Sequence, residues 1–454
     1  MRSLGILICV ITLCATCGAD QGTPADVGYR LTLEQALETA FKQNPDIKAA
    51  LAQLNKARGG MGEAEANFNP KFNAEVTHLR QGPQVSFAVP GGPRVNIVQE
   101  HNTTAALSLM LPIDVSKKLS YVSDMAKLQF QMDYLSLLAV SQKLIYDVKN
   151  AYYELLRAQA QAEVAQAAVE VAKARLKDAN ARFAAGTAPR FDVMRAEVDV
   201  ANLNQQLIRA QSRVEIARAA LNRVLGINVD TPTTIVQTDV AVDEKRTGTD
   251  FQSALNEAYS KRPELKLAET AVDLARRNVR LQRTGILPSL AANANYNYVF
   301  RVSGFSTSHE SWTALLDLKI PIWDGGITKA KVDQANADAE KASENLQSAK
   351  LAVALDVKNA TLALNDAVKR MATAAQNVQL AEEALRLANV RYKAGVSTMV
   401  ELSDAELALT QAKTEYVNAR YDYALALAAL ERATSNQPEL NRLQLLGGEP
   451  SARN

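Results

Sequence analysis

Three histidines, three cysteines and a scatter of carboxylates are the side chains here that could carry chemistry. His78, His101 and His309 lie in or near alternating segments, without metal-ligand spacing and without a nucleophile–base arrangement. No catalytic residue, cofactor or metal site is therefore assigned, and an enzyme is not expected. Glu401 and Asp404 stand three apart, which puts both carboxylates on one side of a helix, flanking an apolar stripe through Leu402 and Ala405. The bland alternative for such a pair is ordinary solvated carboxylates. Asp192 occupies a similar place 209 residues earlier.

The cysteines belong to the N-terminus. Arg2, the apolar run LGILICVITL and the small-residue stretch CATCGAD read as an export signal over residues 1–19, too short to span a bilayer as a mature helix. Cys9, Cys14 and Cys17 all fall inside it, so a processed chain would have no disulfide. Cys17 has a second possible fate, lipid attachment, because Ala15 and Thr16 precede it and Gly18 follows. The position three residues before it is Cys14 rather than an aliphatic residue, which weakens that option.

Composition narrows the class. The net charge of +2 offers no basic excess with which to release counterions from a phosphate backbone, so nucleic acid is not an expected partner. Beyond the leader no apolar run is long enough for a membrane-spanning helix. With 6% aromatics and 47% hydrophobic residues, the chain suits long helices better than a compact globule.

The elements that position the carboxylates occur twice. DVKNA at 147–151 returns at 356–360, 209 residues on, and Gly186 and Gly395 keep that offset. Upstream, ALETAFKQNPDIKAA (36–50) matches ALNEAYSKRPELKLA (254–268) with an offset of 218. The nine-residue excess falls between Pro70 and Pro112, where QGPQVSFAVPGGPRVN reads as a surface loop. The expected plan is a first repeat over 20–225, a polar linker over 226–250, a second repeat over 251–435 and a tail over 436–454.

Periodicity gives each repeat a long helical hairpin. From Val148, steps of three and four reach Ala151, Leu155, Ala158, Ala162, Ala165, Val169, Ala172, Leu176, Ala179 and Phe183 without meeting a polar residue, and the stripe recurs from Val357 to Tyr392. A sustained 3.5-residue period means left-handed supercoiled helices. The hairpins should run over about 117–225 and 326–435, reversing at Gly186 and Gly395, where left-handed caps are expected.

Four segments alternate instead. Strands are expected near 69–80, 101–113, 288–301 and 309–321. Leu290, Ala292, Ala294, Tyr296, Tyr298 and Phe300 share one face, opposite Asn293, Asn295 and Asn297. Phe72, Ala74, Val76, Leu107, Leu109, Leu111, Trp312, Leu316 and Leu318 form matching apolar faces. Such strands fit a membrane β-barrel, although a sandwich edge packed on the helices is the alternative. Four strands cannot close a barrel and lipid does not tolerate an open edge, so two or three copies must combine.

With this duplicated order of strands and helices, LTLEQALETAFKQNPDIKAA, PIWDGG and the paired RF/RY-x-A-G turns, the chain resembles the TolC-like outer-membrane efflux proteins. The resemblance implies a mainly α fold with β, assembled as a homotrimer. A twelve-strand β-barrel would cross outer-membrane lipid and continue as a twelve-helix α-barrel in the periplasm. It implies an exit duct for tripartite efflux or type I secretion, partnered by a periplasmic adaptor (membrane fusion protein) and an inner-membrane transporter. By the same resemblance Arg182, Phe183, Gly186, Arg391 and Gly395 form adaptor-docking tips. Asp192, Tyr392, Glu401 and Asp404 would form the gate, where threefold repetition focuses negative potential. Ser397 stands where some members carry arginine, which puts a charge latch at that spot in doubt. The competing class is a pore-less periplasmic coiled-coil adaptor or scaffold, which would have no use for amphipathic strands.

Overall fold

A computed structural model describes residues 30–83, 85–88, 90–92, 94–98, 100–237, 250–302 and 308–437. The leader with Cys17, most of the linker's second half and nearly all of the tail lie outside the described residues. The first half runs β1 (Arg30–Leu31), α1 (Leu33–Gln43), α2 (Pro45–Ala66), β2 (Lys71–Arg80), β3 (Val85–Ala88) and β4 (Arg94–Val98). It continues with β5 (His101–Ile113), α3 (Lys118–Ala184) and α4 (Arg190–Leu225). The second half is β6 (Thr234–Ile235), α5 (Phe251–Lys261), α6 (Pro263–Arg283), β7 (Ser289–Val299), β8 (Glu310–Lys319), α7 (Ile327–Lys393) and α8 (Met399–Ala433).

The duplicated unit is plain in the helices. α3 and α7 are each 67 residues long, about 100 Å at 1.5 Å per residue. Their apolar stripes are where the core lies: Val148, Leu155 and Val169 on α3, and Val357 and Leu364 on α7, are buried. Alanines between them let the return helices α4 and α8 approach closely. An acid caps the start of each long helix. Asp114 accepts the N–H of Leu119 (3.0 Å) and Ser120 (2.8 Å), and Asp324 accepts those of Gly326 (3.0 Å) and Thr328 (2.7 Å). Anions at helix N-termini satisfy orphan donors and complement the helix dipole.

The four long strands form one antiparallel sheet in the order β2-β5-β7-β8. Its register brings Phe72 opposite Leu109, Leu107 opposite Tyr296, and Tyr296 opposite Trp312. The apolar residues therefore share one face, and that face is bare: Phe72 is 76% exposed, Trp312 77% and Leu316 66%. The packed-sandwich alternative fails, because no helix covers this surface among the described residues. The Gly/Pro-rich excess between β2 and β5 is more than a loop, since β3 and β4 pair there as a short hairpin.

Around the hairpins' middle, two small cores join short elements to long ones. Ala36, Leu37 and Ala40 of α1 pack with Ile145, Tyr152 and Leu221. Ala254 and Ala258 of α5 pack with Val357 and Tyr423. Tyr152 also pins the parallel pair of β1 and β6, its hydroxyl donating to the carbonyls of Leu31 (3.3 Å) and Val236 (2.7 Å). The junction after α4 is tight: Gly226 has φ 76°, and Asn44 Nδ2 donates to Val224 O at 2.8 Å.

Candidate functional site

Both long hairpins reverse in one manner. Gly186 has φ 72°; its N–H donates to Phe183 O (3.0 Å) and that of Thr187 to Arg182 O (2.9 Å). Gly395 has φ 74°, and the equivalent bonds run from Gly395 to Tyr392 O and from Val396 to Arg391 O, both 3.1 Å. A left-handed residue closing two such bonds is a Schellman end, a place that favours glycine. The return helices start differently. Pro189 caps α4 with no side-chain bond, whereas Thr398 accepts the N–H of Glu401 at 3.3 Å.

The tip side chains divide into tied and free. Arg182 bonds Asp178 at 2.9 Å and lies 4.9 Å from the centre of the Tyr392 ring, a cation–π contact between the two hairpins. Tyr392 also packs, with Leu176, against a small apolar cluster of Ala179, Val193, Ala196 and Met399. Phe183, Gly186, Arg391 and Gly395 are exposed. The Ser397 hydroxyl donates to Glu401 at 2.6 Å, and Arg391 lies 3.8 Å from the same carboxylate. Asp404 is exposed and lines a groove of about 810 Å³ between α4 and α8, floored by α3. Asp192 sits in the first turn of α4, and among the described residues no hydrogen bond or ion pair joins it to Glu401 or Asp404. A single chain thus gathers Arg182 with Tyr392 and Arg391 with Glu401, but does not gather the acids.

One cluster escaped the reading of the sequence. Arg175 of α3, its side chain 8% exposed, reaches Asp199 of α4 at 3.3 Å and pairs with Glu406 of α8, while also bonding the Ser403 hydroxyl. Burial pulls the guanidinium below its usual pKa, against the opposing pull of Asp199. Its one signal was asymmetry, since Ala384 holds the matching place in the second repeat. Of the histidines, His78 and His101 stack at 5.6 Å, and His309 meets Val299 O at 2.7 Å. Among the described residues no group of three or more His, Cys, Asp or Glu could hold a metal ion.

Known proteins share this fold. The profile of the family described as "Outer membrane efflux protein" matches residues 36–227 and 254–436. Outer membrane protein TolC of Vibrio cholerae is 25% identical over 436 residues, covering 94% of this chain and 96% of that one. TolC of Escherichia coli is 25% identical over 443 residues, covering 93% and 86%. A membrane protein from Pseudomonas aeruginosa, solved by crystallography, superposes with TM-score 0.76 at 20% identity, covering 88% of this chain and 90% of that one. The two matched stretches take in both glycine-centred hairpins, and the chain belongs to the outer membrane efflux protein family.

Proposed function

We propose that three copies of this chain form a passive exit duct, delivering to the exterior what an inner-membrane transporter and a periplasmic adaptor hand over. The carrying observation is the four-stranded sheet, apolar and bare on one face, whose two outermost strands β2 and β8 each lack a neighbour on one side among the described residues. Lipid accepts β structure only when its backbone groups are paired in a closed barrel. Three such sheets supply twelve strands, and three pairs of hairpins supply the helical cylinder below. The duct itself does no catalysis, and its partners select the substrate.

Within this reading Arg182, Phe183, Gly186, Arg391 and Gly395 meet the adaptor, because they stand at the free ends of the hairpins. Asp192, Tyr392, Glu401 and Asp404 narrow the periplasmic mouth. Extraction in mild detergent followed by light scattering should give the mass of three chains, recovered from the outer-membrane fraction. A monomer, or recovery from the soluble periplasm without detergent, would overturn the duct in favour of a scaffold.

A further inference from the structure

We propose that β8 of one copy pairs antiparallel with β2 of the next in the register that sets Lys319 opposite Glu75, so that an ion pair across the seam fixes how the copies join. The proposal rests on the exit-duct reading above. The duplication sets the register. The first strands of the two repeats are related by 218 positions, as Pro70 is to Pro288, and the second strands by 209, as Pro112 is to Pro321. The sheet obeys both offsets. Lys71 stands opposite Met110 in the first repeat, and their counterparts Ser289 and Lys319 stand opposite each other in the second. The pairing between repeats carries forward in the same way. Within the chain β5 meets β7 with Met110 opposite Asn293. One repeat further on, Met110 becomes Lys319, and Asn293 becomes Glu75 of the next copy. The transferred ladder runs from Thr313 opposite Gln81 to Ile322 opposite Phe72, along the two margins that lack neighbours among the described residues.

The side chains fit this register. Alternation puts Glu75 and Lys319 on the face away from Phe72 and Leu316, and both are exposed. In its own chain the Lys319 ammonium meets no carboxylate among the described residues, while Glu75 accepts the Thr77 hydroxyl at 3.1 Å. On the other face Leu318 falls opposite Val76 and Ile320 opposite Ala74, so apolar side chains stay together across the seam. Slips are penalised. Moving by one residue turns every side chain of β8 to the wrong face. Moving by two in one direction sets Asp317 against Glu75, like charges directly opposite. Moving by two in the other sets Asp317 against Leu79 and Lys319 against Thr77. An exposed ion pair adds little net stability, so its value here is selection among registers. Met110 and Asn293, at the equivalent place inside the chain, are uncharged, which makes the pair particular to the joint between chains.

The test is disulfide mapping in outer membranes, with copper phenanthroline as oxidant, single-cysteine controls, and heated gels without reductant. Glu75→Cys/Lys319→Cys should link chains into species of two and three copies, because directly opposite Cα atoms lie about 4.5–5.5 Å apart, within disulfide reach. Asn73→Cys/Lys319→Cys and Thr77→Cys/Lys319→Cys, two residues out of register and about 7–8 Å apart, should link at least about fivefold less. Stronger linking in either displaced pair, or none from Glu75→Cys/Lys319→Cys while the wild type is trimeric, overturns the register. Charge reversal tests the ion pair itself. Glu75→Lys and Lys319→Glu should each lower the trimer fraction on unheated gels several-fold, and the exchange Glu75→Lys/Lys319→Glu should restore it. An exchange as poor as the single variants, or single variants as good as wild type, overturns the ion pair. A wild-type chain that stays monomeric in mild detergent would instead sink the duct reading, and the seam with it.

Discussion

Glu401 sits at the tip with its charge already engaged by Ser397 and Arg391, whereas Asp404 faces the groove in the open. In the proposed duct, threefold repetition would bring copies of both acids around one axis, where like charges sum. Replacing Glu401 and Asp404 together with alanine should raise conductance or weaken cation preference in planar bilayers; unchanged records would remove these carboxylates from the gate. The residues legible in advance were those whose type answers to local backbone. Gly186 and Gly395 stand where a positive φ is required, and a single sequence displays that need. Arg175 was not legible because its partners are 24 and 228 positions away. Only folding makes them neighbours.

Helix ends decide how the hairpins are mounted. Gly226 closes α4 against the end of α1, and an added Cβ would come within 2.8 Å of backbone atoms of Gln43 and Asn44. At Gly186 nothing lies within 4 Å, so alanine there meets only the left-handed backbone penalty, about 1–2 kcal/mol. Gly226→Ala should therefore lower the melting temperature well beyond Gly186→Ala, measured by circular dichroism in detergent. Equal losses would mean that the α1 junction yields easily. Asp324 makes a second claim about helix ends. Hydrogen bonds from the Thr328 hydroxyl and backbone, outweighing desolvation, hold its carboxyl below the usual range. Its folded pKa is depressed, so its stabilisation is present above the unfolded pKa and disappears as pH falls through the folded one. Asp324→Asn should shrink the acid-side loss of stability seen in melts over a pH series. The long helices were readable because a 3.5-residue stripe persists for about ten turns. The β3–β4 hairpin was not, because Gly and Pro around strands of four and five residues look the same as a plain loop.

The whole chain carries surface that a lone globule would bury: on the apolar face of the sheet Phe72, Trp312 and Leu316 are exposed, and neighbours must cover them. Face assignment in the sheet gives a direct check. Leu316→Arg places a cation on the apolar face, at a cost of about 2–4 kcal/mol near mid-bilayer, and should reduce assembled protein on unheated gels. Asn295→Arg, on the opposite face, should leave assembly intact and alter conductance. The reverse outcome would mean that the sheet is inside out. Alternation made these faces legible; the copy number was not, since the sequence leaves two and three sheets equally open by arithmetic.

The two unfilled margins of the sheet, at Lys71–Arg80 and Glu310–Lys319, also say how damage propagates. A ring of few identical members has no slack: one faulty seam leaves the whole ring unsealed, however sound the other members are. A lesion along either margin is therefore expected to act as a poison rather than as a simple shortage, spoiling the intact siblings it joins.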